Sequence, residues 1–184
     1  MVWKCVKITD TSPAEYEKTY ALLHPSRRAH IDRLKKEKDR LCSLAGEFLI
    51  KKILEEDFGV KCPIIKRDKK GKPITESGEF ISISHCDQFV VCAAHTTPVG
   101  IDIERKRNIS PALINRVCTE NEQAYLTAAK DDAERLYRFF EIWTAKEAYF
   151  KKQGTGIIDF KSVNIFDLDR KIICIEDYVI QIVV

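Results

Sequence analysis

Three carboxylates and one lysine stand in two short segments of this chain, Val99-Gly100-Ile101-Asp102-Ile103-Glu104 and Trp143-Thr144-Ala145-Lys146-Glu147-Ala148-Tyr149-Phe150-Lys151. On a pleated strand, residues two apart share a face, so Asp102 and Glu104 project together. On a helix, residues four apart stack, so Glu147 and Lys151 are neighbours. Three hard oxygen donors beside a cation suit Mg²⁺, or Mn²⁺ in its place, together with a bound phosphate. The set points to chemistry on a phosphate ester or anhydride.

Each segment also has a plainer reading. An isolated Glu–Lys pair four apart is usually a solvated ion pair contributing about 0.3–0.5 kcal/mol. Here Phe139, Phe140, Trp143 and Phe150 make the helix apolar and half-buried, where such a pair is costly unless it has a task. Asp102 and Glu104 read alone as a strand end entering solvent at Arg105-Lys106-Arg107. Against that, Gly100 is expected to let a ligand approach the backbone. Ser84-His85 closes an apolar strand; a lone histidine there is more often a structural partner, and the other reading has His85 bond a phosphate oxygen. Gly71-Lys72-Pro73 reads as a surface turn whose lysine can reach a phosphate. The basic run from Arg27 to Arg40 reads as a solvated helix face. His24, His30 and His95 show no ligand spacing and receive no role.

The elements that must position these groups follow from periodicity. Val2 to Thr9 alternates as a strand. Ser12-Pro13-Ala14-Glu15 opens a helix with a capping box and runs to about Leu23. Pro25 to Phe58 is helical in pattern, stopped by Gly59. Strands are expected at Phe80 to Ser84, Phe89 to Ala94 and Val99 to Glu104, after a turn at Arg67 to Pro73. Thr119-Glu120-Asn121-Glu122 is a second capping box, opening a helix to about Ala129. A longer helix runs from Asp131 or Asp132 to Lys152, ended by Gly154-Thr155-Gly156. Val163 to Val184 reads as two or three strands. The order is α+β in two halves, residues 1–98 and 99–184.

Composition sets limits. With 184 residues and 45% hydrophobic residues, the chain supports a packed core. A net charge of +3 is too weak to imply a nucleic-acid partner. Seven cysteines with no Cys-x-x-Cys pair argue against a disulfide framework or a zinc site, and suit reduced thiols packed in the core of a cytoplasmic protein. No signal peptide or membrane span is expected. No glycine-rich nucleotide loop and no G-x-S-x-G elbow is present.

The two segments resemble the paired signature of the 4′-phosphopantetheinyl transferases, roughly [VI]-G-[VI]-D and then [FW]-[SCT]-x-K-E-[SA]-x-x-K. The matches are Val99-Gly100-Ile101-Asp102 and Trp143-Thr144-x-Lys146-Glu147-Ala148-x-x-Lys151. Phe80 to His85, Gly71-Lys72-Pro73 and Asp39 to Gly46 extend the resemblance over about residues 25 to 160. Glu104 and the two-half length resemble the monomeric type that activates surfactin synthetase. The resemblance implies two pseudo-symmetric halves, each with a small, mostly antiparallel sheet on a long helix. It also implies transfer of the phosphopantetheinyl arm of coenzyme A to a serine of an apo acyl or peptidyl carrier protein, leaving adenosine 3′,5′-bisphosphate. Asp102, Glu104 and Glu147 would hold Mg²⁺, Glu147 would act as base and Lys151 would assist the leaving oxygen. Lys72, Pro73, Ser84 and His85 map to coenzyme A phosphate contacts, and Arg27 and Ser43 to its 3′-phosphate. The alternatives are a binding module for coenzyme A or a carrier without turnover, and a Mg²⁺-dependent phosphoesterase. The tail after Asp169 is shorter than in larger members of this type.

Overall fold

A computed structural model describes all 184 residues. The first half contains β1 (Val2–Lys7), α1 (Pro13–Ala21), α2 (Pro25–Asp32), α3 (Glu37–Phe58), β2 (Ile65–Arg67), β3 (Pro73–Thr75), β4 (Phe80–Cys86) and β5 (Phe89–His95). The second contains β6 (Gly100–Arg105), α4 (Pro111–Val117), α5 (Glu120–Thr127), α6 (Asp132–Gln153), β7 (Arg170–Ile175) and β8 (Tyr178–Val183). Two three-stranded antiparallel sheets form, ordered β1-β5-β4 and β6-β8-β7, with β2 and β3 as a separate hairpin.

The sheets pack face to face between the two long helices, giving layers in the order α3, first sheet, second sheet, α6. Strand alternation explains this arrangement. On β5, Val90, Cys92 and Ala94 join the core under α3, while Phe89, Val91 and Ala93 join Ile101, Ile103, Ile180 and Ile182 between the sheets. With both faces covered, β5 is an unbroken apolar run rather than an alternating one. On β6 the inter-sheet face takes Ile101 and Ile103, so Gly100, Asp102 and Glu104 face α6.

The helix ends follow the sequence signals. Ser12 and Thr119 form reciprocal capping boxes with Glu15 and Glu122. Gly59 and Gly154 close the two 22-residue helices in left-handed backbone, at φ 68° and 67°.

Four details differ from the sequence expectation. The helical stretch from Pro25 is broken at residues 33–36, where Arg40 Nε donates to the Leu34 carbonyl at 2.7 Å. An unbroken helix would hold residues 27 and 47 about 30 Å apart. The break folds α2 back, and Arg27 Nε reaches Glu47 Oε1 at 2.8 Å. The basic run is therefore not all a solvated face. The tail strands begin only at Arg170, preceded by short 3₁₀ turns at Phe160–Ser162 and Ile165–Asp167. Hairpin β2–β3 and helix α4 were too short to leave a periodic signal. All seven cysteines are free, but only Cys42, Cys92 and Cys118 are buried, while Cys62 and Cys174 are exposed.

Candidate active site between the two halves

Strand β6 and helix α6 are locked together at Gly100. A Cβ there would overlap the Ala148 carbonyl oxygen and stand 2.7 Å from the Lys152 nitrogen. The glycine therefore admits the α6 backbone, not a ligand as its sequence position suggested. This contact sets Asp102 and Glu104, two and four residues along β6, against Glu147 and Lys151 on α6.

The resulting cluster is charged and half-buried, with Asp102 at its buried end. Lys151 Nζ donates to Asp102 Oδ1 at 2.6 Å and to Ser84 Oγ at 2.7 Å, and Ser84 Oγ donates to the same Asp102 oxygen at 2.8 Å. Lys151 thus pairs across to β6 rather than with Glu147 four residues before it. Burial first, then the negative charge of Asp102, raises the Glu147 pKa to about 7; Lys151 opposes the rise and Glu104 adds to it. Glu104 accepts from Arg107 at 2.7 Å. Ser84, which the resemblance maps to a phosphate contact, is buried against Asp102. His85, next along β4, lies on the strand face that carries Ile81 and Ile83, with part of its surface exposed; removal from water first, then the Lys151 charge, lowers its pKa.

The donor set fits a hard cation in chemistry. Asp102 Oδ2 is buried without a hydrogen-bond partner, and Glu147 resists ionising beside two other carboxylates. A divalent ion would satisfy the first and relieve the second. No three acidic, histidine or cysteine side chains are already drawn together as a metal cage. The Lys151 ammonium already occupies one oxygen of Asp102.

One cavity adjoins this cluster and a second lies beside that cavity. The first, of about 310 Å³, lies between the halves, and its walls include Lys72, Pro73, Ser82, Glu147, Phe150 and Lys151. Lys72 Nζ donates to the Lys152 carbonyl at 2.7 Å, reaching from the β2–β3 turn to the end of α6. Removal from water lowers the Lys72 pKa. The other cavity, of about 490 Å³, is walled by His24, Ser26, Arg27, His30, Lys66 and Arg67. Arg67 and Gly71 belong to both, so the two are neighbours. Folding thus brings together Arg27, Lys72, Pro73, Asp102, Glu147 and Lys151. Ser43 lies half-buried on α3 outside both walls.

Sequence reasoning missed Arg67, His24 and His30, whose positions depend on the α2 fold-back and the β2–β3 hairpin. It also left Lys146 without a role. Lys146 is wholly buried and donates to Glu122 Oε2 at 2.6 Å and to the Val117 and Phe160 carbonyls, both at 2.8 Å. Glu122 Oε1 accepts from the Ile165 nitrogen at 3.0 Å. One buried ion pair therefore ties α4, α5 and the loop after α6 to the helix that carries Glu147.

The sequence model of the family described as the 4′-phosphopantetheinyl transferase superfamily matches residues 98–182. A model described as 4′-phosphopantetheinyl transferase, N-terminal, matches residues 10–97. The chain is 36% identical over 135 residues to the 4′-phosphopantetheinyl transferase gsp of Aneurinibacillus migulanus, covering 72% of this chain and 56% of that protein. It is 28% identical over 150 residues to the 4′-phosphopantetheinyl transferase Sfp of Bacillus subtilis, covering 79% and 66%. A rat L-aminoadipate-semialdehyde dehydrogenase-phosphopantetheinyl transferase is 28% identical over 163 residues, covering 79% and 53%. The chain thus spans about half to two thirds of the length of these relatives. No helix is long and apolar enough to cross a membrane.

Proposed function

Because the chain belongs to the 4′-phosphopantetheinyl transferase superfamily, we propose that it transfers the 4′-phosphopantetheinyl group of coenzyme A to a serine hydroxyl of an apo acyl or peptidyl carrier protein. The serine oxygen forms a bond to the β-phosphorus. The bond from that phosphorus to the bridging oxygen breaks, and adenosine 3′,5′-bisphosphate leaves.

The observation that carries this reading is the meeting of Glu147 and Lys151 at a cavity walled by both halves, with Asp102 bonded to Lys151 behind them. A carboxyl with a pKa raised to about 7 is poised to accept the proton of the attacking hydroxyl near neutral pH. Lys151, beside it, is set to stabilise charge on the departing oxygen. Asp102, Glu104 and Glu147 would hold Mg²⁺, which when bound neutralises negative charge on the diphosphate. Lys72 faces the same cavity, and Arg27 and Arg67 supply positive charge to the neighbouring one, a match for the phosphates of the nucleotide end.

Intact-mass spectrometry of a panel of apo carrier proteins, incubated with this protein, coenzyme A and Mg²⁺, tests the reading. The expected result is a gain of one phosphopantetheinyl group, abolished by EDTA. Coenzyme A binding without modification of any carrier would refute transfer and favour a binding module. Coenzyme A cleavage without a carrier would favour a phosphoesterase.

A further inference from the structure

Glu47 is an anomaly in the first half. It sits on α3 among Leu44, Ala45, Leu49 and Ile50, with only 2% of its surface exposed. A lone carboxylate there would be strongly disfavoured. Two arginines meet it on one oxygen: Arg27 Nε at 2.8 Å from α2 and Arg67 Nη2 at 2.6 Å from β2. The two arginines come from different elements, 40 residues apart in the chain. Both line the 490 Å³ cavity.

The geometry leaves the arginines only partly spent. Arg27 uses Nε on Glu47, and neither of its terminal nitrogens bonds a protein atom. Arg67 uses Nη2 alone, and its buried Nε has no partner. Burial and the neighbouring Arg67 charge lower the Arg27 pKa, and Glu47 opposes both. Without Glu47 the two guanidinium groups would repel and swing apart. With it, they are held side by side with free donors, and the trio keeps one net positive charge.

We infer that Glu47 is a positioning residue that clamps Arg27 and Arg67 into one preformed anion-binding pair at the nucleotide end of the coenzyme A site. This rests on the function proposed above. Glu47 touches no ligand itself; it fixes the direction of two side chains that each have several free rotamers in solution. A preset pair of planar donors binds a phosphate with less loss of side-chain freedom than two independent arginines.

The sign of one substitution separates this role from simple charge balance. Glu47→Gln removes a negative charge beside the cavity. If Glu47 only neutralised the arginines, an anionic ligand would bind more tightly. If it positions them, binding weakens although the site has become more positive. Calorimetric titration of coenzyme A and of dephospho-coenzyme A into wild type, Glu47→Gln, Arg27→Ala and the double variant reads this out. The expected result is a coenzyme A Kd raised at least tenfold in Glu47→Gln. Dephospho-coenzyme A should change less than threefold. The double variant should be no worse than the weaker single one, because both substitutions remove the same contact. Glu47→Asp keeps the charge but withdraws the carboxylate by one methylene. It is the second test should Glu47→Gln fail to give a cooperative melt, and the same selective loss is expected of it.

Coenzyme A binding to Glu47→Gln as tight as, or tighter than, that of wild type would overturn the inference. Equal losses for both ligands would also overturn it, since that is the mark of general loosening. Wild-type transfer to a carrier without the selective loss refutes the clamp and leaves the proposed function standing. The selective loss without any carrier modification does the reverse.

Discussion

Glu147→Gln is expected to stabilise the ligand-free protein while abolishing transfer. Folding lifts the carboxyl from 4.5 to about 7 through burial and the charges of Asp102 and Glu104. At about 1.4 kcal/mol per pH unit, this corresponds to about 3 kcal/mol of strain in the ionised folded state. Relaxation of the coupled Asp102 and Lys151 charges reduces the figure, and a gain of about 2 kcal/mol is expected on substitution. Between pH 4.5 and 7 the native carboxyl retains a proton that the unfolded chain has released. Wild-type stability therefore falls as pH rises through that window, and the loss is complete above it. The glutamine variant lacks this slope. Urea unfolding at pH 5 and pH 8 should show a small difference between the proteins at the lower pH and about 2 kcal/mol at the higher, or about 4–8 °C in melting temperature for a chain of this size. Excess Mg²⁺ at pH 8 should raise wild-type stability and leave the variant nearly unchanged. A variant less stable than wild type at pH 8, or a difference independent of pH, would refute the electrostatic reasoning.

Gly100→Ala drives a methyl into the Ala148 carbonyl; a loss of about 3 kcal/mol in urea unfolding is expected, with transfer falling because Glu147 moves relative to Asp102. Lys146→Met leaves Glu122 charged in the core, and a loss of about 3–5 kcal/mol is expected by the same measurement. Arg27→Ala should raise the Kd of coenzyme A by about tenfold or more, and that of dephospho-coenzyme A much less. Equal effects in the titration would remove Arg27 from the 3′-phosphate.

The long elements were legible because their signals are local. The capping boxes at Ser12 and Thr119 and the glycine stops at 59 and 154 involve residues within one turn of one another, so they form wherever the chain is helical. The short elements were not: a three-residue strand such as Ile65–Arg67 has too few positions to show a period, and it forms because its partner Pro73–Thr75 is near. The break after Asp32 escaped for a related reason. Residues 25–58 all suit a helix locally, and the interruption is stabilised by the distant pairing of Arg27 with Glu47.

The candidate site divides in the same way. The alternation of Gly100, Asp102 and Glu104 and the helical spacing of Glu147 and Lys151 put each set on one face of its own element. That much is dictated by the periods of a strand and a helix. Which partners those faces meet was settled by packing. The backbone contact at Gly100 turned a presumed ligand approach into a helix seat. It gave Lys151 to Asp102 and Ser84 rather than to Glu147. It also exposed Glu147 to two further carboxylates, and its pKa rose accordingly. The sequence by itself determined the family, the α+β class and which residue types share a face of one strand or one helix. Only the tertiary structure decided that Lys146 and Glu122 are a buried brace, that Gly100 seats α6, and that Glu47 joins Arg27 to Arg67. The physical reason is that charge, burial and pKa depend on neighbours in space, and these neighbours are separated by 20 to 49 residues along the chain.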